Sequence, residues 1–308
     1  MVHSNPFNAR STADHVLAGV DLTGRRFLVT GCNSGIGLET MNSLAANGAH
    51  VVGLAKSWSA ASEACARVGP SCTAVACDLS DLNSVADAAG TIRAMSAPLD
   101  AVVANAGIAY LPELRTRYGV EMQFLVNHIG HFALINQLSE LVRNGSGRIV
   151  LVSGATRVKP SPPEGIMFDN LDGRRFYRPA TFYRQSKLAV ALYAKELARR
   201  LQARGIAVNA VDPGATTGTQ LDRHSRRPIV IRSIARLFGK NPQRAAATQA
   251  LLAASPRVTG ISGEMWADCR ITVGPALLGD AGLAKRLWEV SERIVDAHTL
   301  PEKLLAAA

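Results

Sequence analysis

Tyr183 and Lys187 stand four residues apart in Tyr183-Arg184-Gln185-Ser186-Lys187, so one helical turn sets a phenol and an ammonium on the same face. Such a pair can move a proton. A free phenol, with a pKa of about 10, donates poorly at neutral pH, but a nearby cation lowers that value and makes it a usable acid or base. Of the five tyrosines, only Tyr183 has a lysine at this spacing. The ordinary alternative is a helical tyrosine beside a solvated lysine, and the pair alone does not exclude it.

The run Thr30-Gly31-Cys32-Asn33-Ser34-Gly35-Ile36-Gly37 decides between them. It follows the apolar Phe27-Leu28-Val29 and opens a periodic segment, Ile36 to Leu44, so it reads as strand, glycine turn, helix. Gly31 allows the tight turn, Gly35 lets backbone approach a pyrophosphate, and Gly37 lets the helix pack close to the strand. The phosphates would lie near the positive end of the helix dipole.

The elements that must carry these groups are legible as apolar runs: Phe27 to Thr30, His50 to Leu54, Thr73 to Cys77, Ala101 to Ala104, Arg148 to Val152, Ile206 to Val211 and Gly263 to Ala267. Continuous apolar strands imply a sheet covered on both faces. Amphipathic segments such as Leu188 to Gln202 alternate with them, and right-handed crossovers wind the whole into a doubly wound parallel sheet. Asn47-Gly48 and Ala203-Arg204-Gly205 read as helix C-caps. Lys159-Pro160-Ser161-Pro162-Pro163-Glu164-Gly165 breaks helix and strand alike. Lying between the fifth strand and Tyr183, that loop should border the substrate pocket.

With 308 residues, 47% of them apolar, the unbroken alternation fits one large α/β domain better than two. The five cysteines (Cys32, Cys65, Cys72, Cys77, Cys269) show no Cys-x-x-Cys pair. A disulfide framework and a zinc site are therefore both disfavoured, and a reducing, cytoplasmic setting is the simpler reading. No apolar run approaches the ~20 residues of a membrane span, and Met1 to Asp14 has no apolar core of a signal peptide. The net charge of +10 admits nucleic acid, an anionic membrane or a polyanionic cofactor as partner. Its one cluster is Arg223, Arg226, Arg227, Arg232 and Arg236 around Ile229, Val230, Ile231, Ile234, Leu237 and Phe238. A basic amphipathic helix can make peripheral contact with a membrane. No nucleic-acid motif is present.

With its Gly-x-x-x-Gly-x-Gly spacing, Asp78-Leu79 after the third strand, Asn105-Ala106-Gly107 after the fourth, Asn127, Tyr183/Lys187 and Pro213-Gly214 after the sixth, the chain resembles a short-chain dehydrogenase/reductase nearly end to end. It is most similar to the retinol dehydrogenase and WW-domain oxidoreductase branch. The matching runs are Arg10-Ser11-Thr12-Ala13, Gly19 to Gly24, Val126-Asn127-His128-Ile129-Gly130-His131-Phe132, Asp268-Cys269-Arg270, and Leu287 to Glu292. The resemblance implies an α/β Rossmann fold of about seven strands with helices on both faces, in one domain spanning 1–308. That domain has an N-terminal arm (1–24), an insertion before the tyrosine (154–182), a substrate flap (215–245, holding the arginine cluster) and a C-terminal helical extension (270–308). A homo-oligomer is a family-level expectation.

The resemblance also assigns roles. Tyr183 is the acid/base, Lys187 assists it and holds the nicotinamide ribose, and Asn127 fixes a water that relays protons; without the match, Asn127 reads as a helix-interior asparagine bonded to backbone. Gly31, Asn33, Ser34, Gly35, Ile36, Gly37, Asp78, Leu79, Asn105, Ala106, Gly107, Pro213, Gly214 and Thr216 join Tyr183 and Lys187 in holding the dinucleotide. Asp78 would bond the adenine edge, its ordinary alternative being a helix N-cap with Ser80 competing. Family members commonly carry Ser-Ser after the fifth strand, whereas this chain has Val152-Ser153-Gly154-Ala155-Thr156. Gap-free alignment puts Gly154 at the catalytic position and a one-residue shift restores Ser153. Ser153 is the expected carbonyl polariser, with Thr156 a substitute hydroxyl. His128 and His131 read as helix-packing residues.

Cofactor choice belongs at the end of the second strand, where a carboxylate bonds the ribose 2′-OH of NAD and a cation accommodates the 2′-phosphate of NADP. Family members carry Asp where this chain has Ala55, followed by Lys56. That favours NADP(H), with NAD(H) remaining possible and a commonplace surface lysine the alternative. The expected activity interconverts an alcohol and a ketone or aldehyde on a small, mostly apolar molecule. The competing reading, prompted by Gly154, is a dinucleotide-binding sensor or scaffold without turnover. A lyase or epimerase of this fold would need more chain for a second domain.

Overall fold

The computed structural model describes residues 5–154, 162–216 and 240–299. Its elements in chain order are α1 (Ala13–Leu17), β1 (Arg26–Thr30), α2 (Gly35–Ala46), β2 (His50–Ala55), α3 (Trp58–Val68), β3 (Cys72–Ala76), α4 (Leu82–Ala94) and β4 (Ala101–Ala104). A short hairpin, β5 (Thr116–Arg117) and β6 (Val120–Glu121), leads into α5 (Met122–Phe124), a π-helical turn over Leu125–Ile129 and α6 (Gly130–Leu138). Then follow β7 (Arg148–Val152), α7 (Pro179–Leu201), β8 (Ala207–Asp212), α8 (Pro242–Ala254), β9 (Met265–Ala267), β10 (Arg270–Ile271) and α9 (Ala281–Asp296).

The sheet order is β10-β9-β8-β7-β4-β1-β2-β3, parallel throughout except at β9–β10. Strand order reverses between β1 and β4, and ligands of such sheets bind beyond the strand C-termini at that point. Alternation within each strand feeds two cores: Leu28, Val52 and Val102 face α4, α6 and α7, while Phe27, Val29, Val51 and Val103 face α2 and α8. Leu28 is fully buried, so Leu28→Ala would cost about 2–5 kcal/mol. The C-terminal α9 lays an apolar stripe along α7, with Leu287 and Trp288 buried between them.

Two expectations need correction. The sheet has eight strands rather than about seven, because Asp268 (φ 54°) and Cys269 (φ 61°) form a left-handed two-residue turn that folds Arg270–Ile271 back on β9. Cys65 and Cys72 pair as a disulfide with Cα atoms 5.1 Å apart. The turn from α3 into β3 brings them together, which counting cysteines could not reveal. The ordinary alternative for Asp78, a cap on α4, is not taken: neither it nor Ser80 caps that helix, and Asp81 does, accepting from Asn83 N–H. The C-caps stand as expected, with Gly48 at φ 93° and Gly205 at φ 64°. Thr156, most of the expected flap with its arginines, and residues 300–308 lie outside the described residues. No described helix is long and apolar enough to cross a membrane.

Candidate active site

The glycine turn is built by close approach. A Cβ on Gly37 would lie 2.2 Å from Gly31 O, and one on Gly31, at φ 68°, would lie 2.8 Å from Ala106 Cα. No side chain fits at either position, so β1, the turn and the end of β4 sit in direct backbone contact. The N-terminus of the twelve-residue α2 borders the cavity through Ser34, Gly35 and Ile36, with no side-chain cap from Ser34, a ready anion site.

Thr30, the last residue of β1, wires this turn to its neighbours. Its Oγ1 accepts from the N–H groups of Asn105 and Ala106, each at 3.0 Å, and bonds His131 Nε2 at 2.9 Å. His131 Nδ1 lies 3.0 Å from the Asn127 carbonyl oxygen. A carbonyl can only accept, so the proton is on Nδ1 and Thr30 donates to Nε2. Burial pushes His131 down to about 4, the Asn127 carbonyl opposing and Lys187 adding to the depression. The imidazole is thus a neutral tie between the glycine turn and the π-helical turn. His128 does pack as expected, against Phe124, Phe132 and Tyr193, while bonding Ser291 at 2.7 Å.

Asn127 spends its amide on protein: Oδ1 accepts from Ile108 N–H at 2.9 Å, and Nδ2 donates to Ile108 O at 3.0 Å and Ser186 Oγ at 2.9 Å. It therefore holds the strand-end loop against α7. On α7, Lys187 Nζ lies 6.0 Å from the centre of the Tyr183 ring and donates to Val152 O at 2.9 Å. A Cβ on Gly107 would sit 3.3 Å from that ammonium, so a glycine leaves it room. Burial pushes Lys187 down to about 8, with the Asp212 carboxylate opposing. Asp212 is 4% exposed, closes β8 beside Ser153 and accepts from Gly214 N–H at 2.8 Å.

Ser153 is 1% exposed and its hydroxyl donates to Lys187 O at 2.7 Å. Polarising a substrate oxygen requires that proton to turn away from Lys187. Both Ser153 and Gly154 N–H groups reach Val211 O, at 2.8 and 3.2 Å, and Gly154 has φ 85°. The two N–H groups sharing one carbonyl mark where the chain turns out of the strand after Val152.

At the far end, Lys56 Nζ pairs with Asp78 Oδ2 at 3.3 Å while 78% exposed. Burial alone would raise Asp78; bonds from Ser80 and the Lys56 charge outweigh it and hold the carboxyl below its ordinary range. One continuous cavity of about 730 Å³ joins these groups. Of the residues expected at the site, all but Gly37 and Asn127 line it, and those two act from behind. None of the described loop residues 162–165 lines it. Tyr110, Leu111, Arg115 and Asp212 line it without having been foreseen.

Residues 25–165 match the short chain dehydrogenase family model. The chain is 35% identical to the WW domain-containing oxidoreductase of Pongo abelii, over 94% of this chain and 72% of that protein. It is 34% identical to human retinol dehydrogenase 14, over 88% and 86%. Among solved structures it is similar to the Pseudomonas aeruginosa RhlG/NADP active-site complex, with TM-score 0.64 and 25% identity over 80% of this chain and 95% of that one.

Proposed function

The chain belongs to the short-chain dehydrogenase/reductase superfamily, in the branch of the retinol dehydrogenases and WW domain-containing oxidoreductases, and on that premise we propose that it is an NADP(H)-preferring oxidoreductase interconverting an alcohol with an aldehyde or ketone on a mostly apolar small molecule. The observation that carries the proposal is the buried Lys187 ammonium beside Tyr183, in the same cavity as the glycine turn.

The residues fit a nicotinamide dinucleotide. The cradle of Gly31 and Gly37, where added Cβ atoms would clash, suits a pyrophosphate at the α2 N-terminus. Asn33, Ser34, Gly35 and Ile36 would border it. Lys56 would meet a 2′-phosphate and Asp78 and Leu79 the adenine, with Asn105, Ala106, Gly107, Pro213, Gly214 and Thr216 closing the rest. When bound, the cofactor supplies or accepts the hydride.

The chain's own part is placement and proton handling. Tyr183 gives its hydroxyl proton to the substrate oxygen in reduction and takes one back in oxidation. Lys187 stays charged below about pH 8, so negative charge on the Tyr183 oxygen is stabilised. Ser153, freed from Lys187 O, would donate to the substrate oxygen. Asn127 and His131 keep the β4 loop and the glycine turn in register with α7.

The committed hydroxyl of Ser153 favours a second reading, a dinucleotide sensor without turnover. Parallel fluorescence titrations with NADPH and NADH test the proposal, followed by a carbonyl screen. Tighter NADPH binding with turnover supports it; binding without turnover favours the sensor, and no binding removes both.

A further inference from the structure

Tyr110 lies three residues beyond Asn105-Ala106-Gly107, outside every motif that marks the site. Its φ is 55°, a left-handed conformation that residues with a Cβ rarely adopt and that clusters at functional sites. Bonds on successive residues hold it there. Asn127 clamps both backbone groups of Ile108. Tyr110 N–H donates to Gln123 Oε1 at 2.7 Å, and Leu111 O accepts from the Tyr177 hydroxyl at 2.7 Å.

Gln123 is fully buried and also donates to Glu121 Oε1 at 3.1 Å and to Pro179 O at 3.2 Å. Pro179 starts the helix that carries Tyr183. One buried amide therefore fixes Tyr110 relative to that helix. The two tyrosine rings end up 4.9 Å apart, their planes inclined by 43°, on the wall of the shared cavity. The backbone that carries the Tyr110 ring is thus fixed, and the ring itself rests against that of Tyr183.

We propose that Tyr110 is the specificity-determining residue of this cavity, an aromatic wall on a fixed backbone, packed against the Tyr183 ring, that admits carbonyl and alcohol carbons with one slender substituent and rejects those flanked by two bulky groups. The proposal rests on the oxidoreductase reading and narrows its substrate class. It assigns the selectivity to the ring and not to the Tyr110 hydroxyl.

The test uses the full chain and its Tyr110→Ala, Tyr110→Gly, Tyr110→Phe and Tyr183→Phe variants; glycine suits the left-handed backbone should the alanine variant fold poorly. Dissociation constants of benzyl alcohol and diphenylmethanol are measured with NADP+ present, and kcat/KM of benzaldehyde and benzophenone with NADPH. Wild type is expected to prefer the slender member of each pair. Tyr110→Ala or Tyr110→Gly should move both ratios toward the bulky member by about tenfold or more, the scale of a pocket-shape change, with NADPH affinity unchanged and Tyr110→Phe like wild type. Unchanged ratios, no discrimination by wild type, or a Tyr110→Phe loss equal to that of Tyr183→Phe would overturn the proposal. Should wild type bind the alcohols and reduce neither carbonyl, the oxidoreductase reading fails, while the binding ratio still decides the role of the wall.

Discussion

Lys187 and Ser153 latch β7 to α7 reciprocally: the Ser153 hydroxyl donates to Lys187 O at 2.7 Å, and the Lys187 ammonium donates to the carbonyl of Ser153's neighbour, Val152, at 2.9 Å. The helix of the proposed general acid and the strand end proposed to polarise the substrate are thus held in one register. Perturbing either partner should be felt at both.

Ser153→Ala is expected to lower kcat by about a hundredfold or more, the scale for losing an oxyanion-type donor, and to cost about 0.5–1.5 kcal/mol of stability through the lost bond to Lys187 O, which keeps its helical partner. Steady-state kinetics and urea unfolding measure the two separately. A stability loss with kcat nearly unchanged would make Ser153 a structural tie alone.

Because burial holds Lys187 down to about 8 against Asp212, its ammonium is lost as pH rises through that value, and kcat/KM for carbonyl reduction should fall on that limb. Asp212→Asn removes the opposing charge but keeps an acceptor for Gly214 N–H, so the limb should move to lower pH. A limb that stays put would belong to another group. The unfolded chain binds this proton more tightly, near 10.5. The fold therefore carries the full penalty below about 8 and is relieved of it as pH rises from 8 to 10.5.

His131, pushed down to about 4, and His128, pushed down to about 3, both chiefly by burial, remain neutral in the fold while the unfolded chain protonates them near 6.5. Between those values the unfolded state binds more protons, so stability falls as pH drops from 6.5 towards 4. Urea midpoints at neutral pH and at about pH 5 should separate in wild type, and the separation should shrink in His131→Phe. An equal separation in both proteins would contradict this assignment.

The Lys56–Asp78 pair is exposed on its lysine side and is worth about 0–1 kcal/mol, so Lys56 can leave Asp78 for a 2′-phosphate with little penalty. Lys56→Ala should weaken NADPH binding by about tenfold, the loss of one charge-assisted contact, and leave NADH binding and the unfolding midpoint near wild type. Equal weakening of both cofactors would assign Lys56 to the shared part of the dinucleotide.

The parallel strands were legible because they are continuous apolar runs: Ala101–Ala104 and Arg148–Val152 read at their observed bounds. β10 was not, since two exposed residues carry no periodicity and owe their pairing to left-handed Asp268 and Cys269. The glycine turn and the Tyr183/Lys187 pair were legible because their chemistry is set by local spacing. Thr30, His131 and Asp212 are polar residues whose partners come from other strands and helices, and chain order alone does not hold that information. Tyr110 was missed likewise, although a bulky residue just after Asn105-Ala106-Gly107 at a strand C-terminus was a usable signal.

Tyr183 is proposed to transfer the substrate proton in a dinucleotide-bound cavity. That role is tested most directly by Tyr183→Phe, measuring NADPH affinity and NADPH-dependent aldehyde reduction on the same preparation. NADPH affinity is expected to stay close to wild type and turnover to fall by about a hundredfold to ten-thousandfold, the range for losing a general acid. Turnover equal to wild type in a variant that still binds NADPH would contradict it.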